Sequence, residues 1–329
     1  MPKPPVILGN APSSGSTLLV NVLGRIAGLH QGDELNLFDK PDWLTSSPER
    51  YRASVQGWLA RGYRRRLACE TRPALENIRQ HGTDKDAALE IARHSSDYLD
   101  FCLRLMDDIR RRNGCDRWVE KTPANIFALS LLADRLPDAQ FICITRSPVS
   151  STLSLLRRGF SPNLAVARWY LSNLAVHALR GRANVRIVSY EQLTSHPAGV
   201  IEEVCGFIGE PFHEGLLNNA SSKSKAPGSW TRRPDEPITR SELKPADIEQ
   251  FSTRIAPVLS TMRATADFHA SIGAAAPLTP MQLCEELGYE VPPPAGTGTS
   301  SGAAKDALRY RLSMLRYGML PKTIPFTVA

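Results

Sequence analysis

The chain has 329 residues, long enough for one large domain with an appendage or for two domains of about 150 residues each. Its 42% apolar and 22% charged residues, with five Trp, eight Tyr and ten Phe, exclude wholesale disorder and collagen-like repetition. Forty Lys and Arg against 33 Asp and Glu leave a formal charge of +7, which favours an anionic partner without naming one.

The N-terminus, MPKPPVILGNAPSSG, carries an apolar run far shorter than the roughly 7–15 residues of a secretory leader, so a cytoplasmic chain is expected. Within it, Pro5-Val6-Ile7-Leu8-Gly9 reads as a buried strand of a parallel sheet, and Asn10 to Thr17 as a tight polar loop. From Leu18, apolar residues at helical spacing run through Leu19, Val22, Leu23 and Ile26 towards Gly28. Strand, small-residue loop and helix in this order form the layout of a phosphate-binding unit.

Residues 48–113 read as largely helical, punctuated by Arg64-Arg65-Arg66 and Arg110-Arg111-Arg112, which are taken as solvated faces or a substrate-facing patch. A second α/β stretch follows: Trp118-Val119 extended, Asn125 to Leu136 helical, Phe141 to Thr145 a buried strand running into Arg146, and a helix over 148–158. Val185 to Tyr190 is a further strand and Ala198 to Ile208 a helix. This alternation predicts an α/β, P-loop-like three-layer fold: a mainly parallel sheet covered on both faces, with a helical insertion at about 48–113. Asn218 to Pro237 reads as a long loop, Pro245 to Ala266 as helix, and Val291 to Ala304 as low complexity. The predicted organisation is one α/β domain over 1–270, a linker over 271–304, and a C-terminal helix and tail over 305–329. Lys305 to Leu320 forms a basic amphipathic helix, expected to dock on its own body or on a second subunit, as in a homodimer, with a membrane surface as the alternative.

No apolar run reaches the roughly 18 residues needed to span a bilayer. The six Cys, at 69, 102, 115, 143, 205 and 284, show neither CxxC nor zinc spacing, so no disulfide framework and no metal site is indicated. No nucleic-acid motif is present either.

The loop Ala11-Pro12-Ser13-Ser14-Gly15-Ser16-Thr17-Leu18 lets backbone N–H groups close around an anion at the positive end of the next helix, with hydroxyls from Ser14, Ser16 and Thr17 as further donors. A nucleotide-triphosphate P-loop needs G-x-x-x-x-G-K-[ST]. Here Ser16 stands in place of the Lys, and Gly9 and Gly15 enclose five residues instead of four, which weakens a kinase reading.

Pro12 to Leu19 resembles the 5′-phosphosulfate loop, P-[KR]-S-G-[ST]-[ST], of the sulfotransferases that use 3′-phosphoadenosine 5′-phosphosulfate (PAPS) and release 3′-phosphoadenosine 5′-phosphate (PAP). Ser13 stands where that loop is basic, and another cation is expected to compensate. Phe141 to Pro148 followed by Ser154 is similar to the family's 3′-phosphate site, a strand ending in Arg with a Ser eight residues on. An Arg at a strand end can fork onto a phosphate, with a Ser in the next helix reaching the same oxygens. Trp118-Val119-Glu120-Lys121-Thr122-Pro123 looks like the E-K-[TS]-P element, whose Lys lies near the transferred sulfonate. Val188-Ser189-Tyr190-Glu191-Gln192-Leu193 resembles the segment whose Tyr sits by the nucleotide. Lys223 with Gly228-Ser229-Trp230 is similar to the loop that folds over the 3′-phosphate and adenine.

The resemblance, strongest with bacterial, tyrosylprotein-type and glycan sulfotransferases, covers about residues 5–230. It implies a metal-independent O-sulfotransferase with Glu34 and Lys121 as catalytic residues. Ser13, Ser14, Gly15, Ser16, Thr17, Leu18, Arg146, Ser154, Tyr190, Lys223, Gly228 and Trp230 are implied to hold the donor. Glu34 would take the acceptor proton, with Asp33 and His30 as rivals. Arg61, Arg64 to Arg66 and Arg72 would draw in acidic acceptors. A tyrosine in an acidic peptide is favoured; a glycan, lipid or natural-product hydroxyl is the alternative. A small-molecule kinase and a non-catalytic polyanion binder are the readings from other classes.

Overall fold

A computed structural model describes residues 3–31, 34–60, 64–66, 69–71, 74–217, 242–295, 305–306, 308 and 325–328. Its centre is a five-stranded sheet of β1 (Val6–Asn10), β2 (Leu29–Gln31), β3 (Arg117–Lys121), β4 (Gln140–Thr145) and β5 (Val185–Ser189), in the order β2-β3-β1-β4-β5. Every pairing is parallel, with Leu8 opposite Lys121 on one side of β1 and Ile142 on the other.

Side chains alternate across this sheet as the two-residue period demands. Ile7, Phe141 and Cys143 enter one apolar cluster, while Val6, Leu8, Ile142 and Ile144 enter the other, so both faces are covered. The thinner layer is α1 (Ser16–Leu23) with the helix Pro197–Ile208. Against the other face pack the helix Tyr98–Arg112, α2 (Pro148–Arg157) and α3 (Pro162–Ala178), which buries Trp169 completely. Gly9 lies within β1, and a Cβ there would come within 2.5 Å of Ile126 N, so a turn over Pro123–Phe127 presses directly on the strand.

Several expectations shift. Edge strand β2 was not foreseen, because Leu29-His30-Gln31 has no apolar run. Between Gly62 and Pro73, both helix breakers, Arg64–Arg66 pairs antiparallel with Cys69–Thr71 and interrupts the helical insertion. Pro257 starts a new helix, Ala256–Thr261, and Met262–Ala264 pairs with Phe326–Val328, so no continuous helix runs from 245 to 266. Arg110, Arg111 and Arg112 pair with Asp107 and Asp108 on a solvated face. Inside the span read as linker, Pro280–Glu286 is a docked helix with Leu283 and Cys284 fully buried. Asp306 accepts hydrogen bonds from Ser161 Oγ at 2.7 Å and Asn163 Nδ2 at 3.2 Å, so the start of the C-terminal segment rests on its own body. The rest of 309–320 lies outside the described residues, and no described helix is long and apolar enough to cross a membrane.

Candidate active site

Each described candidate from the strand-and-loop motifs follows or closes a strand at one edge of the sheet. Residues 11–17 follow β1, Glu34 follows β2, Lys121 closes β3, Arg146 follows β4, and Tyr190 follows β5. In open parallel sheets ligands bind beyond these carboxyl ends, where connections diverge from a central strand.

The loop after β1 is held open by two left-handed residues, Ser13 at φ 65° and Gly15 at φ 94°. A Cβ on Gly15 would fall 2.3 Å from Cδ2 of Tyr190, so only glycine lets that ring lie against the loop. Buried Ser14 donates its hydroxyl to the Ala11 carbonyl and so closes the loop. Ser16 is buried at the start of α1, Thr17 is exposed, and half-buried Leu18 donates its N–H to Gly15 O at 3.0 Å.

Arg146 bridges to this loop: Nη1 donates to Ser13 O at 3.0 Å, and the guanidinium lies 4.1 Å from the centre of the Tyr190 ring. Its own carbonyl accepts from Trp169 Nε1 at 2.8 Å. Half-buried Ser154 stands on α2, one helical turn before Arg158, whose Nη1 donates to Ser13 Oγ at 3.2 Å.

On the other side of β1, Lys121 Nζ donates to Glu34 Oε1 at 2.7 Å. The Lys121 side chain is 9% exposed and that of Glu34 44%, so the carboxylate is reached by solvent. The Glu34 segment is fastened from below: its carbonyl accepts from Asn36 Nδ2 and Asn77 Nδ2, while Asn36 N–H donates to Thr122 Oγ1 at 3.1 Å. Thr122 in turn donates to Glu120 Oε1 at 2.8 Å, and Asn125 Nδ2 donates to Glu120 Oε2. Burial pushes the Glu120 carboxyl up to about 7; these two hydrogen bonds oppose the shift and the charges of Glu34 and Asp39 add to it.

Residues 4–214 match the description Sulfotransferase family, more than half of the chain. The chain belongs to the sulfotransferase family. A protein-tyrosine sulfotransferase of Drosophila melanogaster is 21% identical over 291 residues, covering 79% of this chain and 51% of that protein. The chain thus spans about half the length of the curated relative it matches. The sulfotransferase domain of the Synechococcus PCC 7002 olefin synthase superposes with a TM-score of 0.57 at 21% identity, over 88% of this chain and 96% of that one. The sulfotransferase domain from the curacin biosynthetic pathway gives 0.50 at 19% identity, over 89% and 99%. These likenesses bear on the fold.

In this sulfotransferase, the other candidates for the base are His30 and Asp33. His30 Nε2 lies 3.2 Å from His81 Nδ1, with its ring 4.9 Å from that of Trp118. Asp33 lies outside the described residues, as do Lys223, Gly228, Trp230, Arg61, Arg72 and the side chains of Arg64 to Arg66. Asp39 is fully buried in an ion pair with Lys40, and burial raises its pKa. Arg158 was not singled out from the sequence, although its spacing of one turn from Ser154 and the missing base at Ser13 were the available signals.

Proposed function

We propose that this sulfotransferase moves the sulfonate of PAPS to the phenolic oxygen of a tyrosine in an acidic peptide. The observation that carries the reading is the Lys121–Glu34 pair, a base and a cation 2.7 Å apart at the strand edge beside the loop of residues 11–17. Glu34 is half-exposed and so can meet an acceptor hydroxyl, while Lys121 is largely enclosed and donates to that carboxylate.

The loop with Ser16, Thr17 and the first amides of α1 holds the 5′-phosphosulfate end, where α1 leaves N–H groups without intrahelical acceptors. Arg146 and Ser154 hold the 3′-phosphate end, Arg158 adds a cation to the loop at Ser13, and Tyr190 lies between the two ends. One in-line displacement then suffices. The acceptor oxygen forms a bond to sulfur, the bond from sulfur to the 5′-phosphate oxygen breaks, and the acceptor proton goes to Glu34. Lys121 and the loop amides stabilise the charge that grows on the departing oxygen. Once Glu34 is protonated its attraction for Lys121 falls, which releases the ammonium towards the leaving group.

Likeness to a protein-tyrosine sulfotransferase and the net charge of +7 support an acidic peptide as acceptor. The test is transfer of labelled sulfate from PAPS to acidic tyrosine peptides, matched phenylalanine peptides, and anionic sugars. Label on the tyrosine peptides alone is expected. Label on the sugars alone would remove the acceptor assignment, and turnover of ATP with magnesium but no sulfate transfer would remove the donor.

A further inference from the structure

Tyr289 lies far beyond the residues that match the family, yet its side chain reaches the strand ends that carry the donor site. Its hydroxyl sits 3.2 Å from Glu191 Oε2 and 3.1 Å from Thr145 Oγ1. With one proton to give, it donates to the carboxylate and accepts from the threonine. Glu191 also accepts the backbone N–H of Ser147 at 2.9 Å and the hydroxyl of Ser189 at 3.2 Å.

Thr145 and Ser147 are the residues on either side of Arg146. Tyr289 therefore holds one neighbour directly and the other through Glu191, while Trp169 Nε1 holds the carbonyl of Arg146 itself. A backbone gripped on three sides fixes where the guanidinium starts from, and a long arginine is aimed accurately only when its base is fixed.

Tyr289 is itself firmly seated. The helix Pro280–Glu286 is capped reciprocally by Thr279 and Gln282, and its Leu283 and Cys284 are fully buried. Tyr289 N–H donates to Cys284 O at 2.8 Å, Tyr170 donates its hydroxyl to Leu278 O at 2.5 Å, and Arg180 donates to Glu286 at 3.0 Å. Burial, with the charge of Glu191 adding to it, pushes the ionisation of Tyr289 up, so the hydroxyl keeps its proton across the working pH range.

We infer that Tyr289 is a positioning residue for donor selection: the segment 278–291 locks the turn that aims Arg146 and so sets the preference for a nucleotide bearing a 3′-phosphate. This rests on the donor assignment made above. The test uses the full chain and two nucleotides that differ only in the group concerned, PAP and adenosine 5′-phosphate, titrated calorimetrically. Arg146→Ala is run beside Tyr289→Phe, which keeps the ring and removes only the hydroxyl.

Tyr289→Phe is expected to lower the preference for PAP about tenfold while the affinity for adenosine 5′-phosphate stays within about twofold. A merely structural hydroxyl would weaken both nucleotides together, and that outcome overturns the inference. An unchanged preference in Tyr289→Phe, with the preference abolished in Arg146→Ala, also overturns it and leaves the donor assignment standing. A preference that survives Arg146→Ala overturns the donor assignment itself, and the inference with it. Should Tyr289→Phe melt below the assay temperature, Thr145→Val, which removes the other hydroxyl of the pair, decides by the same ratio.

Discussion

At the start of β3, Arg117 is 2% exposed, and its guanidinium donates to the carbonyls of Pro4 and Ile208, to Gln140 Oε1 and to Glu210 Oε1. At the end of the same strand, Lys121 donates to Glu34, whose carboxylate is half in solvent. The first cation is satisfied by fixed groups from the N-terminal segment, β4 and the end of the helix Pro197–Ile208, so it ties the chain together and has no room for a ligand. The second has a partner that a substrate can displace at small cost, because an ion pair with one exposed member is weak in water. Burial alone therefore does not separate a structural charge from the one proposed to act in catalysis. What separates them is whether the partners can leave.

The largest effect expected from this difference is on chemistry at Lys121. Lys121→Met should lower kcat about a thousandfold with the melting temperature nearly unchanged, since it removes a donor aimed at developing charge. Glu34→Gln should lower kcat by about a hundredfold to a thousandfold and leave PAP affinity intact. Single-turnover transfer of labelled sulfate, with calorimetry alongside, reads both. A Lys121→Met protein that melts far below wild type would place Lys121 with Arg117 and dissolve the contrast.

Arg117→Met should do the reverse. Removing the guanidinium leaves Glu210 short of a buried partner, although Lys3 still reaches it at 2.9 Å, so a loss of about 3 kcal/mol in urea unfolding is expected. The kcat of the protein that remains folded should stay within about threefold of wild type. A kcat loss as large as that of Lys121→Met would show that the two ends of β3 are not separate.

Glu120, next to Lys121 but fully buried, falls between the two cases. Its pKa in the folded chain is raised from 4.5 to about 7, so the folded state holds a proton that the unfolded state has released. Stability from this group is therefore greatest below about 4.5, declines as pH rises, and reaches its floor near 7. Glu120→Gln cannot ionise and should erase that decline, so its stability relative to wild type should climb by roughly 2 kcal/mol from pH 4.5 to 7. Urea unfolding at half-unit steps of pH measures it, and parallel curves for the two proteins would sink the idea.

Much of the strand-edge layout was legible in the sequence, because buried strands such as Phe141 to Thr145 are continuous apolar runs and the site residues follow them directly. Strand β2 was not, since an edge strand of three residues needs no apolar run. Arg158 and Tyr289 were not recognised as candidates for a different reason. Their relevance lies in what they touch, Ser13 in one case and Thr145 with Glu191 in the other, and those contacts join residues more than ninety positions apart. Arg64–Arg66 and Cys69–Thr71 show the converse limit: within a stretch that reads as helical, a charge run gives no sign of an antiparallel strand pair.

Arg158 supplies the smallest and most selective test of the contrast. The loop lacks a basic side chain at Ser13, and Arg158 Nη1 reaches that same residue's hydroxyl from the end of α2. Arg158 is exposed, so by the reasoning applied to Lys121 it should matter for the ligand and not for the fold. Arg158→Ala is expected to weaken PAP binding about three- to tenfold at low salt, less at high salt, with no change in melting temperature, because screening weakens an exposed charge. Introducing Ser13→Lys into that variant should restore part of the loss, reduced by the strain of a long side chain at φ 65°. Full PAP affinity in Arg158→Ala at low ionic strength would mean that the loop binds without a compensating cation, leaving its amides and the helix end to carry the charge.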